Sequence, residues 1–340
     1  MQFASYLLQA VNRENLSSDQ AQSVMELVLT GNVTTAQLAG FLVALRMKGE
    51  TAEELLGFAR AMRAKAVRVD PGLNGEVLLD TCGTGGDGAC TFNISTVAAF
   101  VVAGAGVHVA KHGNRSISGK CGSADVLEAL GVRVDAAPES SARAIREIGI
   151  GFLFAPAIHP AMKHAQAART ELKMRTAFNL LGPLTNPANA TAQLVGAPSL
   201  RAAELLAEAL ASLGLKRGFV VHGSDGLDEI TTTGDTLLLD IRGGSILRRK
   251  VFPEDFGVER ARPDQLRGED REANRLIAEK VLHGEKGPQR DIVAVNAGAA
   301  LVAAGKASDF PSGVELACQA IDSGAALEKL RDLAAYTRNG

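Results

Sequence analysis

Between Asp80 and Gly88 the chain reads Asp-Thr-Cys-Gly-Thr-Gly-Gly-Asp-Gly, directly after the apolar run Val77-Leu78-Leu79. Four glycines within six positions expose backbone N–H groups and permit positive φ, which lets a chain wrap closely around an anion. A strand that feeds such a turn and then opens a helix, here near Ser95, directs free N–H groups and a helix dipole at a phosphate. Taken alone, the turn is equally a flexible surface loop.

A second segment, Lys111-His112-Gly113-Asn114-Arg115-Ser116-Ile117-Ser118-Gly119-Lys120-Cys121-Gly122-Ser123, follows the strand-like Val107–Ala110 and precedes a helix starting near Ser123. Its three cations and its amide, ring and hydroxyl groups suit charge-assisted contacts with a multiply charged anion; by itself it also reads as a solvated basic turn. In a parallel sheet both loops leave the same carboxyl edge, where ligands bind, and together they point to a ligand with more than one phosphate. Between them, Asn93, Ser95 and Thr96 stand at a helix start, as caps or, for a hydroxyl, as a Mg²⁺ ligand. A third group, His222 to Ile230, carries adjacent Asp228 and Glu229 just after the strand Gly218–Val221. That pair suits a hard cation, directly or through water, or is a pair of turn carboxylates. Asp225, followed by glycine, is the weaker candidate because Asp-Gly is a common turn. No Ser/His/Asp order, no HExxH and no Walker A lysine supports a hydrolase or P-loop reading.

The elements that must carry these groups fall into two kinds. The first sixty-odd residues read as helices only: Phe3–Val11, Ala21–Thr30 after a cap at Ser17-Ser18-Asp19, and two more behind the capping boxes at Thr34 and Thr51. Leu38, Phe41, Leu42 and Leu45 form one apolar stripe, and Leu55, Phe58, Ala59 and Met62 another. Four short helices bury little alone, so this lobe is expected to pack on a neighbour, including its own copy in a dimer. After Pro71-Gly72, β-rich runs alternate with helices: strands at Val77–Leu79, Val107–Ala110, Val132–Val134, Gly151–Phe154, Gln193–Gly196, Gly218–His222 and Thr236–Ile241, and a short run Asp291–Val295 leading into Ala297–Ala304. That alternation predicts an α/β lobe with a mostly parallel central sheet flanked by helices. Pro160–Leu181 reads as helix with a basic face, and Gly182 to Asn189 as a hinge or crossing point. The expected division is a helical lobe over residues 1–70, rejoined by helices at about 160–185, and an α/β lobe over the remainder of 71–340.

The bulk properties exclude several classes. A formal charge of −2 over 340 residues gives no basic field for nucleic acid or anionic lipid. No apolar run reaches membrane-spanning length, and the first ten residues lack a signal-peptide pattern. Cys82, Cys90, Cys121 and Cys318 form no CxxC pair and suit free thiols in a reducing cytoplasm, the first three as space-fillers beside the glycine-rich segments. A soluble cytoplasmic protein is expected.

Gly83-Thr84-Gly85-Gly86-Asp87-Gly88, Asn93-Ile94-Ser95-Thr96, Lys111-His112-Gly113-Asn114-Arg115, Gly122-Ser123-Ala124-Asp125, Gly182-Pro183-Leu184-Thr185-Asn186-Pro187 and Asp225-Gly226-Leu227-Asp228-Glu229 occur in one order. As a set they closely resemble the anthranilate phosphoribosyltransferase family of tryptophan biosynthesis, from the first helices to beyond residue 300. The resemblance implies two lobes with substrates in the cleft between them, and a homodimer through the helical lobes. It implies that phosphoribosyl diphosphate lies on Gly83, Gly86, Asp87, Thr91, Asn93, Ile94, Ser95, Thr96, Lys111, His112, Gly113, Asn114, Arg115, Ser116, Ile117, Ser118, Gly119 and Ser123. Gly83, Asn114 and Arg169 match positions that meet anthranilate. Two Mg²⁺ ions per subunit are implied, one held by Ser95 and Glu229 and the other by Asp228 with Glu229. No dedicated catalytic acid or base is implied, because the arylamine is already uncharged. Relatives often carry Ser-Ser-Lys-Ser where this chain has Ser118-Gly119-Lys120-Cys121, which leaves backbone alone for a contact at Gly119. A pyrimidine nucleoside phosphorylase of similar design, and a nucleic-acid-binding paralogue without transferase activity, are the alternatives.

Overall fold

The computed structural model describes residues 2–85, 91–116 and 121–339. Four helices come first: α1 (Gln2–Val11), α2 (Ser18–Leu29), α3 (Thr35–Lys48) and α4 (Ala52–Lys65). Each of α2, α3 and α4 starts at a reciprocal capping box, on Ser17, Thr34 and Thr51; the sequence predicts the boxes at Thr34 and Thr51 and a simple cap at Ser17-Ser18-Asp19. The box at Thr51 has a second use. Its Glu54 is fully buried, accepts the Leu16 and Thr51 N–H groups at 2.9 Å each, and pairs with Lys48 at 3.0 Å. One carboxylate thereby ties α3, α4 and the α1–α2 connection.

The α/β part follows: β1 (Leu78–Gly83), α5 (Ile94–Gly104), β2 (His108–Gly113), α6 (Ser123–Ala129), α7 (Pro138–Ile148), β3 (Ile150–Phe154), then the single turn α8 (Ala155–Ile158). Helices α9 (Lys163–Leu172) and α10 (Phe178–Leu181) return to the first four helices, with Ala165, Ala168, Phe178 and Leu181 in the same apolar core as Phe41 and Phe58. The predicted helix over Pro160–Leu181 is thus two pieces, broken where Lys173 takes positive φ (47°). Next come β4 (Ala192–Gly196), α11 (Leu200–Ser212), β5 (Arg217–Gly223), β6 (Thr236–Arg242), β7 (Ser245–Val251), α12 (Arg271–Leu282), α13 (Pro288–Ala303), α14 (Phe310–Asp322) and α15 (Ala325–Asn339).

The seven strands order as β3-β2-β1-β4-β5-β6-β7. The four pairings from β3 to β5 are parallel, and β6 and β7 add an antiparallel edge. Chain direction across the sheet reverses between β1 and β4, so the crevice at their carboxyl ends is the topological switch point.

Two runs differ from expectation. Val132 and Val134 are buried with Arg133 exposed between them, but the run forms no strand: the Arg133 N–H donates to Thr337 Oγ1 of α15, and no strand among the described residues pairs with it. Asp291–Val295 is the first half of α13, a helix buried on every face from Ile292 to Ala303; such a helix loses the 3.6-residue polar rhythm that would identify it. Strand β7 was not expected. It pairs with β6 through Gly243-Gly244, both at positive φ, a two-residue hairpin turn.

Replacing Lys48 by Met should cost about 3–5 kcal/mol in urea denaturation, because the Glu54 carboxylate would remain buried without its counter-ion. A loss below about 1 kcal/mol, the scale of an exposed pair, would show that water reaches Glu54.

Candidate active site

The switch point carries a cleft of about 1060 Å³, with one wall from the sheet loops and the other from α9, α10 and their flanks. Gly83 ends β1 and Gly196 ends β4, side by side in the parallel register. An added Cβ at Gly83 would stand 2.5 Å from Asp228 Oδ2, and one at Gly196 only 1.5 Å from the Asp228 carbonyl oxygen. Gly196 must lack a side chain for the loop after β5 to lie across the strand ends, and a side chain at Gly83 would displace the Asp228 carboxylate. There the Gly85 N–H donates to Asp228 Oδ2 (2.8 Å) and the Ser95 N–H to Glu229 Oε1 (3.1 Å). The free N–H groups expected to face a phosphate therefore partly serve these two carboxylates.

Beneath them lies Lys111, buried, its ammonium donating to the Thr81 carbonyl at 2.6 Å with Ser95 Oγ at 3.5 Å. Burial lowers its pKa, opposed by the charges of Asp80, Glu229 and Asp228. Asp80, fully buried, is raised by desolvation against the pull of Lys111. It accepts the His112 N–H (3.2 Å) and the Asn186 amide (2.8 Å). Burial also pushes the Cys82 thiol well up, so Cys82 is a space-filler with no thiolate character.

The described residues of the second segment bond to the first turn of α6. Ser123 Oγ donates to the Asn114 carbonyl and accepts the Asn114 N–H (3.1 Å), while Asn114 Oδ1 accepts the Arg115 N–H. Asp125 Oδ2 accepts the N–H groups of Ser116 (3.1 Å) and Gly122 (2.8 Å), pinning both ends of the segment between them. Arg115 is held by Glu128 (2.6 Å) and Asp125 (3.3 Å) and stands over the Phe154 ring.

Residues 75–327 match the glycosyl transferase family, a/b domain, and residues 4–66 its helical bundle domain. The chain is 64% identical over 336 residues, 99% of each chain, to an anthranilate phosphoribosyltransferase of Solibacter usitatus. This chain belongs to the anthranilate phosphoribosyltransferase family. The Thermus thermophilus enzyme superimposes with a TM-score of 0.92 at 45% identity, covering 98% of this chain and 99% of that one. The Saccharomyces cerevisiae enzyme, solved in complex with PRPP and Mg, gives 0.90 at 26% identity over 99% and 98%. The same yeast protein is also solved with 4-fluoroanthranilate. Identity of this extent along the whole chain leaves the phosphorylase and nucleic-acid-binding alternatives without support.

Against the family's expected residues, the cleft gathers Gly83, Thr91, Asn93 to Thr96, Lys111 to Ser116, Ser123, Asp228, Glu229 and, from the opposite wall, Arg169. Asn93 precedes α5 and makes no side-chain cap bond; its amide donates to the Cys121 carbonyl instead. Ile94 and Thr96 are buried. Thr91 bridges to Arg267. Gly86, Asp87, Ile117, Ser118 and Gly119 lie outside the described residues, as do Lys120 and Cys90. Arg169 stands over the Phe178 ring at 5.4 Å, and desolvation lowers its pKa. Among the described residues no three carboxylate, histidine or cysteine groups converge as a metal cluster. Asp228, Glu229 and the Ser95 hydroxyl supply the hard oxygen donors that Mg²⁺ takes in ones and twos, the rest of its shell coming from water and phosphate.

Sequence reasoning missed His159 and Asp125. Asp125 stands at the N3 position of α6, a place where a carboxylate regularly reaches back to loop N–H groups. His159 carried no signal, being a single histidine before a proline. Its ring lies 5.3 Å from that of His112, whose Nδ1 faces the Gly182 carbonyl at 3.2 Å. Both Nε2 atoms are buried with no protein partner among the described residues.

Burial, reinforced by His159, pulls His112 down from 6.5 to about 3, and burial pulls His159 down to about 4. Both imidazoles are neutral in the native cleft at pH 7. Below about 6.5 the unfolded chain binds protons that the native state refuses, so stability is full above that pH and falls towards pH 4. The slope is about 1.4 kcal/mol per pH unit for each imidazole. Thermal denaturation between neutral pH and about pH 4.5 should therefore decline less steeply for His159→Asn than for wild type. Parallel curves would show that His159 protonates freely in the folded protein.

Proposed function

We propose that the cleft binds 5-phosphoribosyl 1-diphosphate on the sheet side and anthranilate on the helical side, and transfers the phosphoribosyl group to the arylamine. The products are N-(5-phosphoribosyl)anthranilate and diphosphate, in tryptophan biosynthesis. The observation that carries this reading is the convergence of two glycine-bearing strand ends, a basic loop and a carboxylate pair at one switch point, in a chain of this family. Residues 1–70 with about 160–185 act as the helical lobe, and the remainder of 71–340 as the donor-binding lobe.

The bond from the anomeric carbon to a diphosphate oxygen breaks and the electron pair leaves with diphosphate, a carbon–nitrogen bond forms, and the amine sheds one proton to water. Charge of oxocarbenium type develops on the ribose ring while negative charge grows on the departing diphosphate. Asn93, Ser95, Thr96, Asn114, Ser116 and Ser123 supply donors beside that growing charge, in a cleft where such dipoles act at low dielectric. Gly83, whose missing Cβ leaves room for the Asp228 carboxylate, keeps the end of β1 bare beside both substrates. Asp228, Glu229 and Ser95 hold Mg²⁺, two ions per subunit, and the metal supplies Lewis-acid stabilisation of diphosphate. The yeast relative's complex with PRPP and Mg supports this assignment. Arg169, desolvated over Phe178 and outside any described ion pair, pairs with the anthranilate carboxylate. The yeast complex with 4-fluoroanthranilate supports an aromatic acid as acceptor. Leu8 (59% exposed), Val11 (57%) and Met47 (72%) leave apolar surface on α1 and α3, which supports a homodimer through the helical lobes. The free thiols Cys82, Cys121 and Cys318 fit a cytoplasmic location. No helix among the described residues is long and apolar enough to cross a membrane.

Loss of anthranilate fluorescence with phosphoribosyl diphosphate and Mg²⁺ tests the reading directly; well-folded protein without turnover would sink it. Arg169→Ala should raise KM for anthranilate by a factor matching roughly 1.5–3 kcal/mol, with a smaller change in KM for the donor. An unchanged anthranilate KM would remove Arg169 from the acceptor site.

A further inference from the structure

Asp228 and Glu229 sit on a loop, residues 224–235, that contains no helix or strand. Two adjacent carboxylates repel each other, and a loop without ladder bonds does not by itself hold them at fixed positions. Two side chains outside the metal-binding set fix its backbone. Asn296, in the middle of α13, is completely buried and accepts the Ile230 N–H on Oδ1 at 2.9 Å. Its amide donates to the Ile230 carbonyl and to the Ile292 carbonyl, each at 2.9 Å. The side chain thus pairs with Ile230 as a neighbouring strand would, immediately after Glu229. On the other flank, Asp225 Oδ1 accepts the Leu227 N–H at 3.2 Å, and its Oδ2 accepts the Thr231 and Thr233 hydroxyls at 2.5 Å each.

A buried amide inside an apolar helix costs desolvation unless its donors and acceptor are used, and here both donors and the acceptor oxygen are. Asn296 does not line the cleft. Its bonds go to the loop that carries the carboxylates and to its own helix.

We propose that Asn296 and Asp225 are positioning residues that hold Asp228 and Glu229 in a metal-binding arrangement from behind the site. The inference rests on the reading of that pair as the Mg²⁺ site, and the test separates the two. Mn²⁺ is the probe, titrated against wild type and variants in the presence of inorganic diphosphate, with free Mn²⁺ read by electron paramagnetic resonance. Asn296→Leu, close in size, should weaken Mn²⁺ binding about 10-fold or more, the usual effect of removing a group that orients a metal ligand. Leu301→Ala, which opens a cavity in the same helix away from the loop, should lower Tm and leave Mn²⁺ affinity at the wild-type value. A folded Asn296→Leu protein with wild-type Mn²⁺ affinity would overturn the inference, and so would an equal weakening in Leu301→Ala. If Asn296→Leu does not fold, Thr231→Val removes the Thr231 hydroxyl that donates to Asp225 and accepts the Thr233 N–H, and unchanged affinity there overturns it instead. Wild-type affinity in the double variant Asp228→Asn/Glu229→Gln would sink the metal reading itself, and the inference with it.

Discussion

The loop bearing Asp228 can rest on the sheet only because Gly196 has no Cβ, and the Asp228 carboxylate keeps its place because Gly83 has none. The two residues are partners in the parallel register of β1 and β4, at the place where strand order reverses. A methyl group at Gly196 would overlap the Asp228 carbonyl oxygen, and no rotamer change can relieve a clash with backbone. The floor of the cleft is therefore set by two missing side chains. With the loop seated, Asp228 takes the Gly85 N–H and Glu229 takes the Ser95 N–H at the start of α5. A helix start and a glycine-rich turn, which would attract phosphate unaided, instead anchor carboxylates. That exchange favours a cation between protein and diphosphate over direct capture of the anion by backbone alone.

The charges below the site follow from this arrangement. A carboxylate pair at the strand ends needs a counter-charge, and Lys111 supplies it from within the sheet, against Thr81 and Ser95. Asp80, one residue before Thr81, is buried on the same strand and opposes the desolvation of Lys111. Burial acts on the histidines nearby in the same sense, and no carboxylate opposes it there, so both are neutral. The cleft thus has fixed cations and carboxylates with neutral imidazoles beside them, and its charge near pH 7 does not depend on histidine titration.

Much of this was legible in the sequence, through residues whose role is local. The capping boxes at Thr34 and Thr51 fix helix starts within a few residues of themselves, and the glycine runs mark strand ends for the same reason. What escaped was set by distant partners. Val132–Val134 has a strand's alternation, but its backbone partner is Thr337, two hundred residues away. Asp291–Val295 has a strand's composition because every face of α13 is buried. Arg115 lines the cleft, but its ion pairs with Glu128 and Asp125 carry no signal in the sequence. His159 has no pattern at all, since only folding brings it to His112. Asn296 is invisible for the same reason: its partner loop lies 66 positions earlier.

The segment from Gly182 to Asn189 reads in the sequence as either a hinge or a crossing point, and its hydrogen bonds decide for the crossing point. Arg63 of α4 donates to the Leu184 carbonyl at 2.6 Å, fastening it to the helical lobe. Thr185, completely buried, donates to the Leu181 carbonyl. Asn186 reaches the other way, donating to Asp80 at 2.8 Å and to the Ala110 carbonyl at 2.9 Å, inside the sheet. The same Asp80 accepts the His112 N–H at the base of the second loop. A short run of residues therefore connects α4 to the strands that carry both loops, with Pro183 and Pro187 limiting its backbone. A buried joint bonded on both sides transmits position and does not bend freely. Arg169 and Phe178 stand on helices that lead directly into it. The wall built on α9 and α10 is thereby held in register with the wall built from the sheet loops, as a reaction between two separately bound substrates would require.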